Sequence, residues 1–310
     1  MKTQAEKYAF AMNVSELEKD EFVIAPGHVL RRATQNEIET IRRIMKQITV
    51  GPAPSVPATQ MHWEHEPPAS GSGPYKPLPP DKLRYFVMTF QGSYPQIQEF
   101  QQAADISIRE LELNLWIMDG DKEWRCQAPV RLFHLLHPSP FGRLCKPFSI
   151  SDAAELSSIY FRLKVHNGRL FDIERTVSEI AQLKEIDQGS HLVVLGYFAM
   201  LEAMLTHLPK PSDPYDSITR QIKNKLALLD NRWSPRIDYS PFGGTKPEKV
   251  WEKMYSYRSA IAHGTKPDFG SDLRVLRGPD VVFSLVKETV KSIARFALLD
   301  PQLLQDLKNC

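Results

Sequence analysis

Along this chain the apolar residues change their spacing once, and that change constrains the fold more than any other feature. Leu111, Leu113, Leu115 and Ile117 recur at every second position, the period of a half-buried strand. Beyond about residue 148 such alternation stops. The spans Ser151 to Lys164, Phe171 to Ile186, His191 to Leu208, Ser217 to Asn231, Pro247 to His263 and Pro279 to Leu299 instead carry helical apolar spacing, separated by Gly, Pro, Asn or Asp. A chain of 310 residues has length for two domains. The expected class is therefore α+β, with a mixed α/β domain over 1–148 and an all-helical bundle over 149–310.

Local signals fill in the first half. Tyr8 to Met12 and Glu21 to Ile24 read as short strands, with a turn at Ala25-Pro26-Gly27 before His28 to Leu30. Thr34 followed by Glu37 has the spacing of a capping box, and Ile38, Ile41, Ile44 and Met45 continue it as a helix. Between residues 51 and 82 lie nine of the chain's 24 prolines, interspersed with Gly and Ser. Such a run can neither donate enough backbone hydrogen bonds nor bury enough side chain to pack, so a long exposed loop is expected. Leu83 to Gln91 resumes the sheet. No catalytic constellation stands out here, and by elimination the first domain is assigned to sensing or regulation.

In the second half, Leu192 to Leu205 is apolar on every side except at Glu202, which predicts the central, most enclosed helix. Pro247 suits the first turn of the following candidate, and Gly264 suits a left-handed cap just past its end. Val250, Met254, Tyr257 and Ile261 then form the core stripe. Arg258 lies at the edge of that stripe and His263 on the last turn. Their Cα atoms should stand ~7 to 8 Å apart along the axis and ~140° apart around it, so the two do not meet by default. A groove at the helix end, completed by the same segment of a second subunit, would bring them together, since two-fold dimers are the commonest oligomers.

The run Arg258-Ser-Ala-Ile-Ala-His263-Gly, late in a helical bundle whose earlier helix carries Phe198-Ala-Met-Leu-Glu202-Ala-Met-Leu205, resembles the Apea-like branch of the HEPN superfamily. Its motif is an Arg, four to six residues, then a His, and the resemblance covers roughly residues 150 to 310. It implies a metal-independent endoribonuclease acting as a homodimer, a toxin or antiphage defence effector with an antitoxin or trigger protein as partner. Carried over, it makes Arg258 and His263 catalytic, with Glu202 as a supporting acid. Where the superfamily often has Asn, Asp or His after the Arg, this chain has Ser259, polar but a poorer orienting group.

The chemistry needs no metal or cofactor. RNA carries its own nucleophile in the 2′-hydroxyl, so the protein must supply proton transfer and charge stabilisation at the phosphoryl oxygens. Histidine, with an ordinary pKa near ~6.5, suits the first, and the fixed fork of arginine suits the second. The expected products are a 2′,3′-cyclic phosphate and a 5′-hydroxyl. A non-catalytic RNA-binding or partner-binding module is the alternative. The same residues also have a structural reading, in which a histidine favours the helix C-terminus and Arg258 pairs with the otherwise stranded Glu202.

Net charge is only +2, so any footprint for RNA must be local. Arg220, Lys223, Lys225, Arg232 and Arg236 cluster around Asp230 with Trp233 among them. These could track a phosphate backbone while the indole stacks on a base, although a solvated helix face accounts for them equally well. His62-Trp-Glu-His65 lacks a third ligand at a known spacing, and Gly243-Gly244-Thr-Lys246 lacks the upstream glycine of a phosphate loop. No metal site is assigned. Three scattered cysteines and a polar N-terminus fit a reducing cytoplasm, with neither secretion nor membrane insertion expected.

Overall fold

The computed structural model describes residues 7–49, 63–66, 76–91, 94–119, 122–126, 132, 145–166, 168, 170–209 and 216–310. It is an α+β chain that divides into two compact units, Met1–Lys164 and Val165–Cys310.

The first unit is built on a six-stranded antiparallel sheet. Its strands are β1 (Lys7–Phe10), β3 (Glu21–Ala25), β4 (His28–Arg32), β7 (Phe86–Phe90), β8 (Leu115–Asp119) and β9 (Glu123–Cys126), in the order β3-β4-β7-β1-β8-β9. The remaining strands are β2 (Val14–Leu17), parallel to β10 (Lys146–Phe148), and the short antiparallel pair β5 (His65–Glu66) and β6 (Lys76–Pro77). The β3–β4 hairpin turns where the sequence places it, with Gly27 at a φ of 76° that a side chain would resist. Helix α1 (Gln35–Thr49) opens with the expected capping box. The Thr34 amide donates to Glu37 Oε2 at 2.7 Å, and the Glu37 amide donates back to Thr34 Oγ1 at 3.4 Å.

Pairing fixes which side chains share a face. Phe10 stands opposite Val87 and Leu115, and these pack with Ile38, Ile41 and Ile44 of α1 in one core. On the other face the His28 ring stacks on Phe100 of α2 (Tyr94–Ile106), at 4.8 Å between centroids, and lies 5.4 Å from Tyr160 of α3 (Ile150–Val165). The sheet is thus covered on both faces, which corrects two expectations and adds one helix that the sequence did not announce. The Leu111 to Ile117 segment is buried on both sides, with Glu112 and Asn114 enclosed alongside the leucines. Helix α2 had no sequence signal, because its apolar spacing is weak. Helix α3, which helical spacing alone would join to the bundle, belongs to the sheet unit, so the division falls after it.

The described parts of the proline-rich span, residues 63–66 and 76–82, are more structured than a solvated loop. Much of it lies outside the described residues, His62 included. Trp63, however, is 2% exposed and meets Phe10 edge-on at 5.2 Å, while Glu64 accepts from Tyr85 Oη and from Arg42. A large aromatic ring supplies the apolar area that prolines cannot.

The second unit is helical throughout its described elements: α4 (Ile173–Leu183), α5 (His191–Leu205), α6 (Ile218–Asp230), α7 (Pro247–Ala262), α8 (Pro279–Leu299) and α9 (Pro301–Asn309). Helix α5 touches every other helix of this unit, as its composition predicts. It is not fully enclosed, since Leu192 is 63% exposed and Ala199 and Ala203 also face outward. Gly196 has a steric reason to be glycine, because a Cβ there would lie 2.4 Å from Leu183 Cδ2. Among the described residues no helix is long and apolar enough to cross a membrane.

Candidate functional site

Helix α7 positions the site. Pro247 occupies its first turn, where a missing amide costs little, and the chain leaves it through Gly264 at a φ of 70°. The Thr265 amide donates to Ala260 O at 2.8 Å and the Gly264 amide to Ile261 O at 3.3 Å, the paired bonds of a Schellman cap. His263 is thereby fixed at the last turn, exposed to solvent. Val250, Met254 and Tyr257 face the core as expected, joined by Trp251, while Ile261 is only half-buried.

Helical geometry separates the polar residues of α7 into two groups. Glu252, Ser256, Ser259 and His263 lie on one stripe, and with Tyr255, Ala260, Thr265 and Thr219 they line a surface groove of ≈ 590 Å³. Arg258 is not among these lining residues. Its Nη2 donates instead to Glu202 Oε2 of α5 at 3.3 Å, with the arginine side chain 37% exposed and the glutamate 17%. Within one chain, then, the groove collects His263 and Ser259, while Glu202 collects Arg258. The angular separation read from the helix persists in the folded unit.

Tyr255 sits where the two groups adjoin. It lines the groove, is only 9% exposed, and packs edge-on against Phe198 at 5.5 Å. Its hydroxyl finds no hydrogen-bond partner among the described residues, and neither does Arg258 Nε, although both atoms are buried. Burial, and after it the negative charge of Glu202, push the phenol well above its ordinary range, so it keeps its proton. Sequence reading missed Tyr255 and the Ser256, Thr219 and Thr265 hydroxyls. The spacing of Glu252, Ser256, Ser259 and His263 would have marked the stripe.

The cationic cluster divides in the same way. Arg220, Arg232 and Arg236 are exposed and Lys223 is half-buried. Lys249 donates to Glu252 at 2.6 Å and holds its carboxyl below the ordinary range, with Lys223 and Lys253 adding to the effect. Two residues are corrected. Lys225 is 5% exposed, its Nζ donates to Lys308 O at 3.3 Å, and burial lowers its pKa, so it ties α6 to the C-terminal helix and cannot reach a phosphate backbone. Trp233 is 8% exposed and follows the end of α6 into the interior, which leaves no ring face for a base.

Comparison with family models, with curated proteins and with solved structures returns no match. Among the described residues no cluster of three His, Cys, Asp or Glu side chains could hold a metal ion.

Proposed function

We propose that the second unit is a HEPN-like, metal-independent endoribonuclease, with Arg258 and His263 as its catalytic pair. The observation that carries this reading is that exposed His263 and Ser259 line one open groove, and that Lys223, Lys249 and Lys253 stand near its lining residue Glu252, Lys249 paired with Glu252 and Lys253 with Asp272. A flexible polyanion is the ligand such a surface fits best. In this reading His263 takes the proton of a ribose 2′-hydroxyl, the 2′-oxygen bonds to the adjacent phosphorus, and the bond from phosphorus to the 5′-oxygen breaks. The departing oxygen takes up a proton, leaving a 2′,3′-cyclic phosphate and a 5′-hydroxyl. Arg258 stabilises the charge on the phosphoryl oxygens, for which it must turn from Glu202 towards the groove.

A second copy of the chain completes the site. The outward face of α5 that bears Leu192, Ala199 and Ala203 beside Glu202 is the apolar surface that such a copy would cover. In a cell such an activity suits a toxin or antiphage effector restrained by an antitoxin or released by a trigger protein, with the first unit as sensor.

The pairing of Arg258 with Glu202 favours a second reading, a non-catalytic module that binds RNA or a protein partner through the same groove. Incubating a mixed RNA pool with purified protein in EDTA separates the two. Ribonuclease action requires cleavage by wild type and at least a hundredfold loss in both His263→Ala and Arg258→Ala. Equal cleavage by all three rejects the assignment, and RNA retention without cleavage selects the binding module.

A further inference from the structure

We propose that Tyr255 is a positioning residue that takes over the Glu202 carboxylate when Arg258 turns to a substrate phosphate. The inference rests on the reading above in taking a phosphate as the group that draws Arg258 away.

The problem it solves is the one created by the ion pair. Glu202 has a side chain only 17% exposed, and its cation partner among the described residues is Arg258 at 3.3 Å, a long single-armed contact. Arg258 Nε is buried without an acceptor among the described residues, so the guanidinium is incompletely satisfied by them. A phosphate offering two oxygens would satisfy it better. Removing the cation, however, strands a largely buried carboxylate, which is costly unless another donor replaces it. The Tyr255 hydroxyl meets the need. It is buried, makes no well-formed hydrogen bond among the described residues, keeps its proton, and stands within hydrogen-bonding reach of the Glu202 carboxylate and near Arg258. A small rotation about its side chain brings its O–H onto the carboxylate. Because the same residue lines the groove, the exchange is coupled to whatever enters there.

Loss of the hydroxyl should therefore penalise the state in which Arg258 holds phosphate and leave the resting state intact. The penalty should vanish when Glu202 carries no charge. A merely structural tyrosine would show neither dependence.

The test uses full-length protein carrying ¹⁵N-labelled arginine, with the Arg258 Nε resonance assigned through Arg258→Lys and inorganic phosphate as the probe. In wild type the Arg258 resonance should move with phosphate. In Tyr255→Phe, which keeps the ring against Phe198, the apparent Kd should rise about tenfold. In Tyr255→Phe/Glu202→Gln it should return to within about twofold of Glu202→Gln alone. An Arg258 resonance indifferent to phosphate, a Tyr255→Phe Kd equal to wild type, or a penalty that survives Glu202→Gln would each overturn the proposal. RNA cleavage is followed in parallel. Phosphate behaviour as described with intact RNA removes the ribonuclease reading alone, and cleavage without any Tyr255 effect removes this inference alone.

Discussion

Arg258 of α7 reaches Glu202 of α5 at 3.3 Å, while His263, five residues further along the same helix, lines a groove to which Arg258 does not contribute. The two halves of the candidate catalytic pair are thus held apart by an ion pair between neighbouring helices. How strongly that pair holds governs both stability and chemistry.

Breaking it from one side should cost more than removing it. Arg258→Ala leaves the Glu202 carboxylate largely buried without its cation, and should lower the unfolding free energy by about 1 to 2 kcal/mol. The double variant Arg258→Ala/Glu202→Gln should recover most of that loss. Urea unfolding of the three proteins measures the coupling, and strictly additive losses would show that the pair contributes nothing.

The cap at the end of α7 should matter to activity as well as stability. Gly264 has a φ of 70° with open space around its Cα, so Gly264→Ala meets conformational strain and no clash. A cost of about 1 kcal/mol is expected, spent in fraying the last turn that fixes His263. RNA cleavage should fall several-fold, whereas Gly244→Ala, also in open space but at an ordinary φ, should leave it unchanged.

Helix packing makes a sharper demand at Gly196. With a Cβ 2.4 Å from Leu183 Cδ2, Gly196→Ala should destabilise the chain by about 1 to 3 kcal/mol as α4 and α5 are forced apart or Leu183 leaves its rotamer. Combining it with Leu183→Ala should cost less than the sum of the two single changes, as read from thermal unfolding.

In the sheet unit, stability should depend on pH through His28. Its Nδ1–H donates to Pro26 O at 3.2 Å, while Nε2 is buried against Phe100 and Tyr160 without a partner among the described residues. Burial lowers its pKa from 6.5, the Pro26 carbonyl opposes that in part, and Lys164 adds to the lowering. The unfolded chain therefore binds a proton that the folded one resists. Stability contributed by neutral His28 is present above pH 6.5 and is lost as pH falls towards the depressed folded value, by at most about 1.4 kcal/mol per pH unit. Urea midpoints of wild type should drop between pH 7 and pH 5, and His28→Phe should flatten that dependence.

RNA binding should distinguish surface cations from buried ones. Arg236→Ala should weaken binding and reduce the slope of log affinity against log salt by about 0.7 for each lost single-strand phosphate contact. Lys225→Met should change stability and leave that slope untouched, because its ammonium is spent on Lys308 O.

Much of this protein was legible from local chemistry. The Thr34 to Glu37 capping box, the Gly27 turn, Pro247 and Gly264 at the borders of α7, and the ~140° between Arg258 and His263 follow from backbone preferences and helical period, which act over a few residues. What those periods could not supply was the second surface. Sequence assigned Leu111 to Ile117 one solvated face and Lys225 and Trp233 a free one, because spacing shows what a segment can bury and is silent on what covers its other side. Only packing decided that α3 joins the sheet, that Trp63 enters a core from a proline-rich span, and, of the two roles the sequence left open for Arg258, that it pairs with Glu202 beside the buried Tyr255 hydroxyl. Such contacts link residues tens of positions apart, and a long-range burial cost, which no local pattern encodes, selects them.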